Sequence, residues 1–293
     1  MRDVSVILNA RAGVLLGRDP DQVKKEVADA LAGEGRRVEV ALTAGRSITH
    51  AIDRAAAGGH DTLIVGGGDG SVSYAAAKLA GRDKTLGVLP LGTMNLLGRD
   101  LGMPADVSEM LAALARATPR RIDLATLNGR LFHSLSGVGF FSQMARAREE
   151  ARNLPGRLLQ VGTAALRAFA RTGRSAFTVD VDGRSREIDT YALLVTCNRF
   201  GGKDWRRGAL DGGTLEIHIA RDEGALARLK AGADLISGGW RDNPGIESHP
   251  AEKIIISSAR RRAFVATDGE LRRETTPLRY EIRPRALNVL MSD

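Results

Sequence analysis

The sequence predicts two domains of different class: an N-terminal doubly wound α/β domain, then a β-sandwich-like domain. Three observations predict it. Up to residue 123, short apolar runs alternate with amphipathic stretches, the βαβα rhythm of a parallel sheet. After Asp123 short strands dominate, several separated by Asn-Gly or Asp-Gly, the strongest short-range hairpin signal. Two glycine-rich turns, Gly66-Gly67-Gly68-Asp69-Gly70-Ser71 and Pro90-Leu91-Gly92-Thr93-Met94-Asn95, each follow an apolar run and flank one helical stretch.

The elements follow in order. Val4 to Leu8 is a strand, and Asp19 caps a helix that starts at Pro20 and runs to about Gly33. Arg37 to Leu42 is a strand. Ser47 to Ala57 is a helix, with Ile48, Ala51, Ile52 and Ala55 at helical spacing. Thr62 to Val65 and Leu86 to Leu89 are buried strands, joined by a helix over Val72 to Ala80, and Ser108 caps a helix to about Ala117. Beyond Asp123 the expected strands are Leu124 to Leu127, Arg130 to Ser136, Ala176 to Val181, Arg186 to Thr196, Thr214 to Ile219, Glu252 to Ser257, Ala263 to Ala266 and Leu278 to Arg283. Helices near Phe141 to Arg152 and Leu158 to Arg171 interrupt them.

The 293 residues suffice for two cores. The formal charge is +8, and arginine outnumbers lysine several-fold, so anionic partners are favoured. No basic patch interleaved with aromatics suggests single-stranded nucleic acid, and none is expected as a partner. The single cysteine, Cys197, lies in an apolar run and reads as a core thiol. No Cys/His spacing suggests zinc. The N-terminus reads as a strand rather than a signal peptide, and no window has the length of a membrane span. The expected location is cytoplasmic, with any membrane contact peripheral and at the inner face.

The first glycine-rich turn carries the most chemistry. Successive glycines let backbone approach a phosphate and aim N–H groups at it. The helix that follows adds partial positive charge. Asp69 beside a phosphate is repulsive unless a metal or a transferable proton intervenes, which suggests phosphoryl transfer. Neither a P-loop nor a Gly-x-Gly-x-x-Gly spacing is present. Asn9 and Thr43 end the first two strands, and Thr93 and Asn95 lie in the second glycine-rich turn. Each can bond a base, ribose or phosphate from the same crevice, and each can equally cap a helix.

GGDGSVSYAAAKLAG followed by LGVLPLGTMNLLGRDLGMP resembles the catalytic family of the diacylglycerol kinases, which includes bacterial lipid kinases and sphingosine kinases. VILNARAG, RRIDLATLNGRLFHSLSGVGF, VTCNRFGG, ALDGGTLEIHI, VATDGE and PLRYEIRPRALNVL extend the resemblance over nearly the whole chain. It implies a nucleotide-binding domain over 1–123, closed by a returning segment 284–293, and a lipid-acceptor domain over 124–283. It implies ATP, with Gly67, Gly68, Asp69, Gly70, Ser71, Asn9, Thr43, Thr93 and Asn95 around the nucleotide, and nucleotide chemistry adds Mg²⁺ to neutralise phosphate charge. Glu270 is then the base that takes the lipid hydroxyl proton, and Asp268 supports it. By strand alternation the two carboxylates are expected to face the same way. Without the resemblance, Asp268-Gly269 reads more readily as a solvated hairpin turn. Asp123, in RRIDLA, is implied to join an acidic network with Asp69, or is otherwise a surface turn.

The sequence departs from the family pattern at several places. Tyr74 stands where many relatives have an acidic residue, Leu96-Leu97-Gly98 follows Asn95 where Asp-Phe-Ala is usual, and Ala10 replaces a proline. Gly212 replaces the second aspartate of a turn that holds a structural Mg²⁺ in some relatives, which leaves Asp211 as the candidate ligand there. The partners expected are a lipid substrate at an anionic membrane surface and a second copy of the chain. A basic amphipathic helix between Arg157 and Arg174 either touches the bilayer or packs on its own domain. Two other functions remain open: a kinase with a soluble acceptor, of the NAD kinase type, and a catalytically silent nucleotide- or lipid-binding regulator.

Overall fold

The structure, a computed structural model, describes residues 2–33, 35–45, 47–151, 157–200, 206–221, 230, 234 and 239–292. The chain divides into two units, Met1–Asp123 with Arg285–Asp293, and Leu124–Pro284.

Unit 1 contains β1 (Asp3–Asn9), α1 (Pro20–Leu31), β2 (Arg37–Thr43), α2 (Ser47–Ala57), β3 (Thr62–Gly67), α3 (Asp69–Leu79), β4 (Thr85–Pro90), α4 (Leu96–Asp100) and α5 (Val107–Arg116). The strands pair in parallel in the order β2-β1-β3-β4. The returning C-terminal segment adds Asn288 and Val289 alongside Thr85 and Leu86 of β4, also in parallel. Val23, Val27 and Leu31 of α1 and Met110, Leu111 and Leu114 of α5 bury one face of the sheet together with Val4, Val6, Leu8 and Ile64. Helices α2 and α3 pack against each other and on β1, β3 and β4, so the sheet is doubly wound.

The starts of two helices differ from expectation for a physical reason. Helix α3 begins at Asp69, not Val72, with Gly68 as its N-cap. Asp-Gly-Ser reads as a turn, but an acid in the first turn suits the positive end of the helix dipole. Helix α5 is capped by Asp106, whose carboxylate accepts the N–H groups of Ser108 and Glu109 at 2.9 and 3.1 Å. Asp106 therefore takes the role expected of Ser108.

Unit 2 is antiparallel. It continues from β5 (Thr118–Leu127) through β6 (Arg130–Phe132), β7 (Leu135–Gly139), α6 (Phe140–Ala151), α7 (Arg157–Arg171), β8 (Ser175–Val181), β9 (Arg184–Cys197), β10 (Leu215–Arg221), β11 (Ile246–Ala251), β12 (Lys253–Ser257), β13 (Arg262–Thr267) and β14 (Glu270–Thr275) into β15 (Leu278–Met291). The first part of β9 pairs with β8, and its second part pairs with both β7 and β10. The change of partner falls near Thr190, whose hydroxyl bonds the carbonyls of Ala192 and Ala220 at 3.1 and 2.6 Å. A strand that switches partners this way makes the corner of a sandwich. Its core is Leu193, Val195, Cys197, Ile217, Ile254, Val265 and Tyr280 with their neighbours.

On the other face of β10, His218 is buried, with Nδ1 2.8 Å from Ser248 Oγ and its ring edge-on to Trp240. Burial, aided by the nearby Arg241 and His249, holds its pKa well below the ordinary 6.5. The unfolded chain therefore binds a proton that the folded chain refuses. Stability is full above about pH 6.5 and falls as the pH drops below it. A thermal-melt series from pH 7.5 to 5 should show a steeper fall in Tm for wild type than for His218→Gln. Parallel curves would refute this.

Candidate functional site

In unit 1 the strand ends are level: Asn9 lies beside Thr43, Leu8 beside Gly66, and Gly67 beside Pro90. The chain leaves β1 toward β2 and returns on its other side as β3. The end of β1 against β3 is therefore the topological switch point, where doubly wound sheets bind ligands. The first glycine-rich turn sits there. A Cβ on Gly67 would lie 3.2 Å from the Ser71 side chain and 3.5 Å from Asn9 Cβ. A Cβ on Gly92 would lie 2.5 Å from Gly68 Cα. The two turns thus meet backbone to backbone, which at position 92 only glycine allows.

Asp69 ties them together. Its Oδ2 accepts the N–H of Asn95 at 3.0 Å and its Oδ1 that of Leu96 at 2.7 Å. Asn95 is left-handed, at φ 52°. Its Oδ1 accepts from Gly92 N at 2.8 Å, and its Nδ2 donates to the Pro90 and Gly92 carbonyls, both at 2.9 Å. Three of the four bonds that an amide can make are spent inside the turn, so the side chain of Asn95 shapes the loop. Asn9 Oδ1 accepts the Arg11 N–H at 3.0 Å. Thr93 is exposed. Thr43 Oγ1 is buried without a hydrogen-bond partner among the described residues. Gly70 and Ser71 belong to the first turn of α3, where leading N–H groups have no intrahelical acceptor.

Tyr74 points along α3 toward α2. Its hydroxyl donates to Asp53 at 2.9 and 3.0 Å, and Lys78 Nζ lies 2.8 Å from the same carboxylate. The Lys78 hydrogen bond, with that of Tyr74, holds the Asp53 carboxyl below its ordinary range. Tyr74 joins two helices through Asp53, a partnership that the sequence reading did not anticipate. Asp123 is fully buried, and its Oδ1 accepts the Arg285 N–H at 2.7 Å, where the returning chain is left-handed at φ 50°.

In unit 2, Asp268 and Gly269 are the two loop residues of the β13–β14 hairpin, with φ 47° and 86° and with Thr267 opposite Glu270. This is the two-residue turn in which both central residues have positive φ. The turn interrupts alternation, so Asp268 and Glu270 do not face the same way, contrary to expectation. Asp268 is buried: Oδ2 accepts His133 N at 2.9 Å, and Oδ1 accepts Ser134 N and Leu135 N at 3.0 and 3.2 Å. These bonds also explain why the strand expected over Arg130 to Ser136 is split. Its amides at His133 and Ser134 turn to the carboxylate instead. Two successive polar residues within LFHSLSG were the available signal. Glu270 is exposed, with Oε2 2.6 Å from Arg272 NH2. Asp211 is exposed, beside Gly212. A Cβ on Gly212 would lie 3.1 Å from Asn198 Oδ1. Among the described residues no group of three or more His, Cys, Asp or Glu side chains converges as a metal site would.

Unit 1 is thus a parallel sheet with paired glycine turns at its switch point, and unit 2 an antiparallel sandwich. The sequence profile of the diacylglycerol kinase catalytic domain matches residues 3–127. That of the YegS C-terminal NAD kinase beta sandwich-like domain matches residues 136–291. The chain belongs to the diacylglycerol kinase catalytic family. A protein of Pseudomonas fluorescens named "Probable lipid kinase YegS-like" is 32% identical over 246 residues, 81% of this chain and 80% of that protein. A namesake from Pseudomonas syringae pv. tomato is 34% identical over 157 residues, 51% of each chain. The chain spans about half the length of the first curated relatives it matches. A crystal structure described as a diacylglycerol kinase from Bacillus anthracis str. Sterne shares the fold, with TM-score 0.73 at 20% identity over 99% of this chain and 97% of that one.

Proposed function

We propose that the protein transfers the γ-phosphoryl group of ATP to a hydroxyl of a lipid, diacylglycerol or a related lipid alcohol. The observation that carries this reading is the backbone contact of Gly68 with Gly92 at the switch point, beside the start of α3. It offers phosphate a wall free of side chains, lined by backbone dipoles. Gly67, Gly68, Gly70 and Ser71 hold the phosphates, and Asn9, Thr43 and Thr93 contact the rest of the nucleotide. Asp69 and Asn95 keep the two turns in register. Mg²⁺ typically binds through substrate phosphates with one or two carboxylates. Asp69 is the carboxylate at hand, and the bound ion neutralises phosphate charge. Glu270 accepts the proton of the lipid hydroxyl as that oxygen bonds the γ-phosphorus and ADP leaves. The reading places the protein at the inner face of the cytoplasmic membrane; no helix among the described residues is long and apolar enough to cross one.

Radiolabelled ATP offered with a panel of lipids, with NAD, and with no acceptor tests the reading. Label in the lipid phase supports it. Label in NAD, or binding of ATP without transfer to anything, overturns it.

Gly92→Ala is expected to weaken nucleotide binding by about tenfold or more, because its Cβ must displace one of the two turns. Titration with a fluorescent ATP analogue, with circular dichroism to confirm folding, checks this. Unchanged affinity would remove the phosphate role from the paired turns.

A further inference from the structure

We propose that the outer end of the β13–β14 hairpin docks the protein on an anionic lipid bilayer, with Phe264 as an interfacial anchor and Arg260, Arg261, Arg262 and Arg273 as phosphate-binding groups. Residues two apart on a strand share a face. Arg262, Phe264 and Ala266 therefore line up, opposite Thr275, Arg273 and Leu271 in the pair register. The inner end of that face is covered: Ala266 is buried, and Phe141 of α6 sits over the adjoining Gly137. The outer end is bare. Phe264 is 49% exposed, one of the few large apolar side chains so exposed among the described residues, and the Arg273 guanidinium lies 5.9 Å from its ring centroid. Val265 between them is anchored in the core, so the exposed face is carried on a fixed strand.

The charges here are available. Among the described residues no carboxylate is within ion-pair reach of Arg260, Arg261, Arg262 or Arg273. The nearby acids are engaged elsewhere: Glu270 with Arg272, and Glu274, on the opposite face, with Arg130 at 4.0 Å. The basic amphipathic helix, the other candidate for bilayer contact, also exposes an apolar side chain, Leu166, but its arginines among the described residues are engaged by acids. Arg146, Arg167 and Arg171 all converge on Glu150, at 3.5, 3.9 and 2.8 Å, and Arg174 faces Asp189 at 4.0 Å. The side chains of residues 157–161 in that helix lie outside the described residues. Guanidinium groups grip phosphate bidentately, and a phenylalanine beside them suits the headgroup–acyl boundary. The choice of a bilayer over another polyanion rests on the lipid-acceptor reading above. Single-stranded nucleic acid also binds arginines and aromatics, but through several stacking rings.

Co-sedimentation without ATP tests the surface. The vesicles are phosphatidylcholine alone or mixed with phosphatidylglycerol, over a salt series. Wild type should bind only the mixed vesicles and be released by salt. Arg261→Glu/Arg262→Glu should weaken binding by about thirtyfold or more, since each basic residue near such a surface is worth about fivefold. Phe264→Ser should weaken it at every salt concentration, and Arg167→Glu/Arg171→Glu should not. All variants should phosphorylate a soluble short-chain lipid alcohol like wild type. Vesicle binding that the hairpin variants leave intact, or binding of a labelled oligonucleotide in place of vesicles, overturns the docking proposal and leaves the kinase reading untouched. Vesicle binding lost in the hairpin variants supports the docking even if no lipid is ever phosphorylated, in which case only the kinase reading falls.

Discussion

Glu270→Gln is expected to lower phosphoryl transfer by roughly a hundredfold to ten-thousandfold, the range that a positioned general base supplies. Nucleotide affinity should hold, because Gly67, Gly68 and Gly92 belong to unit 1 and Glu270 to unit 2. The substitution removes one exposed ion pair, with Arg272, and such pairs contribute little to stability. Lost turnover therefore cannot be blamed on unfolding. Single-turnover transfer from labelled ATP, with equilibrium binding of the nucleotide, separates the two quantities. Turnover within a fewfold of wild type would remove Glu270 from the chemistry.

Asp268→Ala is expected to destabilise unit 2 by about 3–5 kcal/mol, because it strands three amide donors at a buried turn. The donors are His133, Ser134 and Leu135. Asp268→Asn keeps one acceptor oxygen and should fall between the two. Activity should decline with stability here, since the same turn sets the start of β14 and hence Glu270. Urea melts of the three proteins check the order. A change within about 0.5 kcal/mol for Asp268→Ala, the scale of an ordinary surface substitution, would show that water replaces the carboxylate at no cost.

The neighbouring positions Asp268 and Glu270 show where sequence reading succeeds and where it stops. Local rules carried far. Asp19 and Pro20 start α1 as expected, with Asp19 accepting the Asp21 N–H at 3.1 Å. Asn128-Gly129, Asp182-Gly183 and Asp268-Gly269 all turn with positive φ. The alternation of apolar runs set the parallel sheet, because strands buried on both faces are apolar throughout. Long-range partners were hidden. Nothing near Asp268 in sequence says that it will be buried by amides some 133 to 135 positions away. Nothing near Asn95 says that its amide will be spent within its own turn. Strand β14, Glu-Leu-Arg-Arg-Glu-Thr, was missed because its charges look solvated. It pairs only with β13 in the described sheet, and a charged edge strand is how sheets avoid unwanted partners.

The closing segment of unit 1 has a consequence for synthesis. Asn288 and Val289 complete the sheet beside β4, and Leu290 completes its core. The ribosome makes them only after all of residues 124–284, a delay on the order of ten seconds. During that interval the nascent first unit carries β4 as an open edge above an unfilled core, a template for pairing with other chains. The burden on chaperones should therefore fall on the part of the protein translated first, and a fragment ending at residue 123 should aggregate rather than fold.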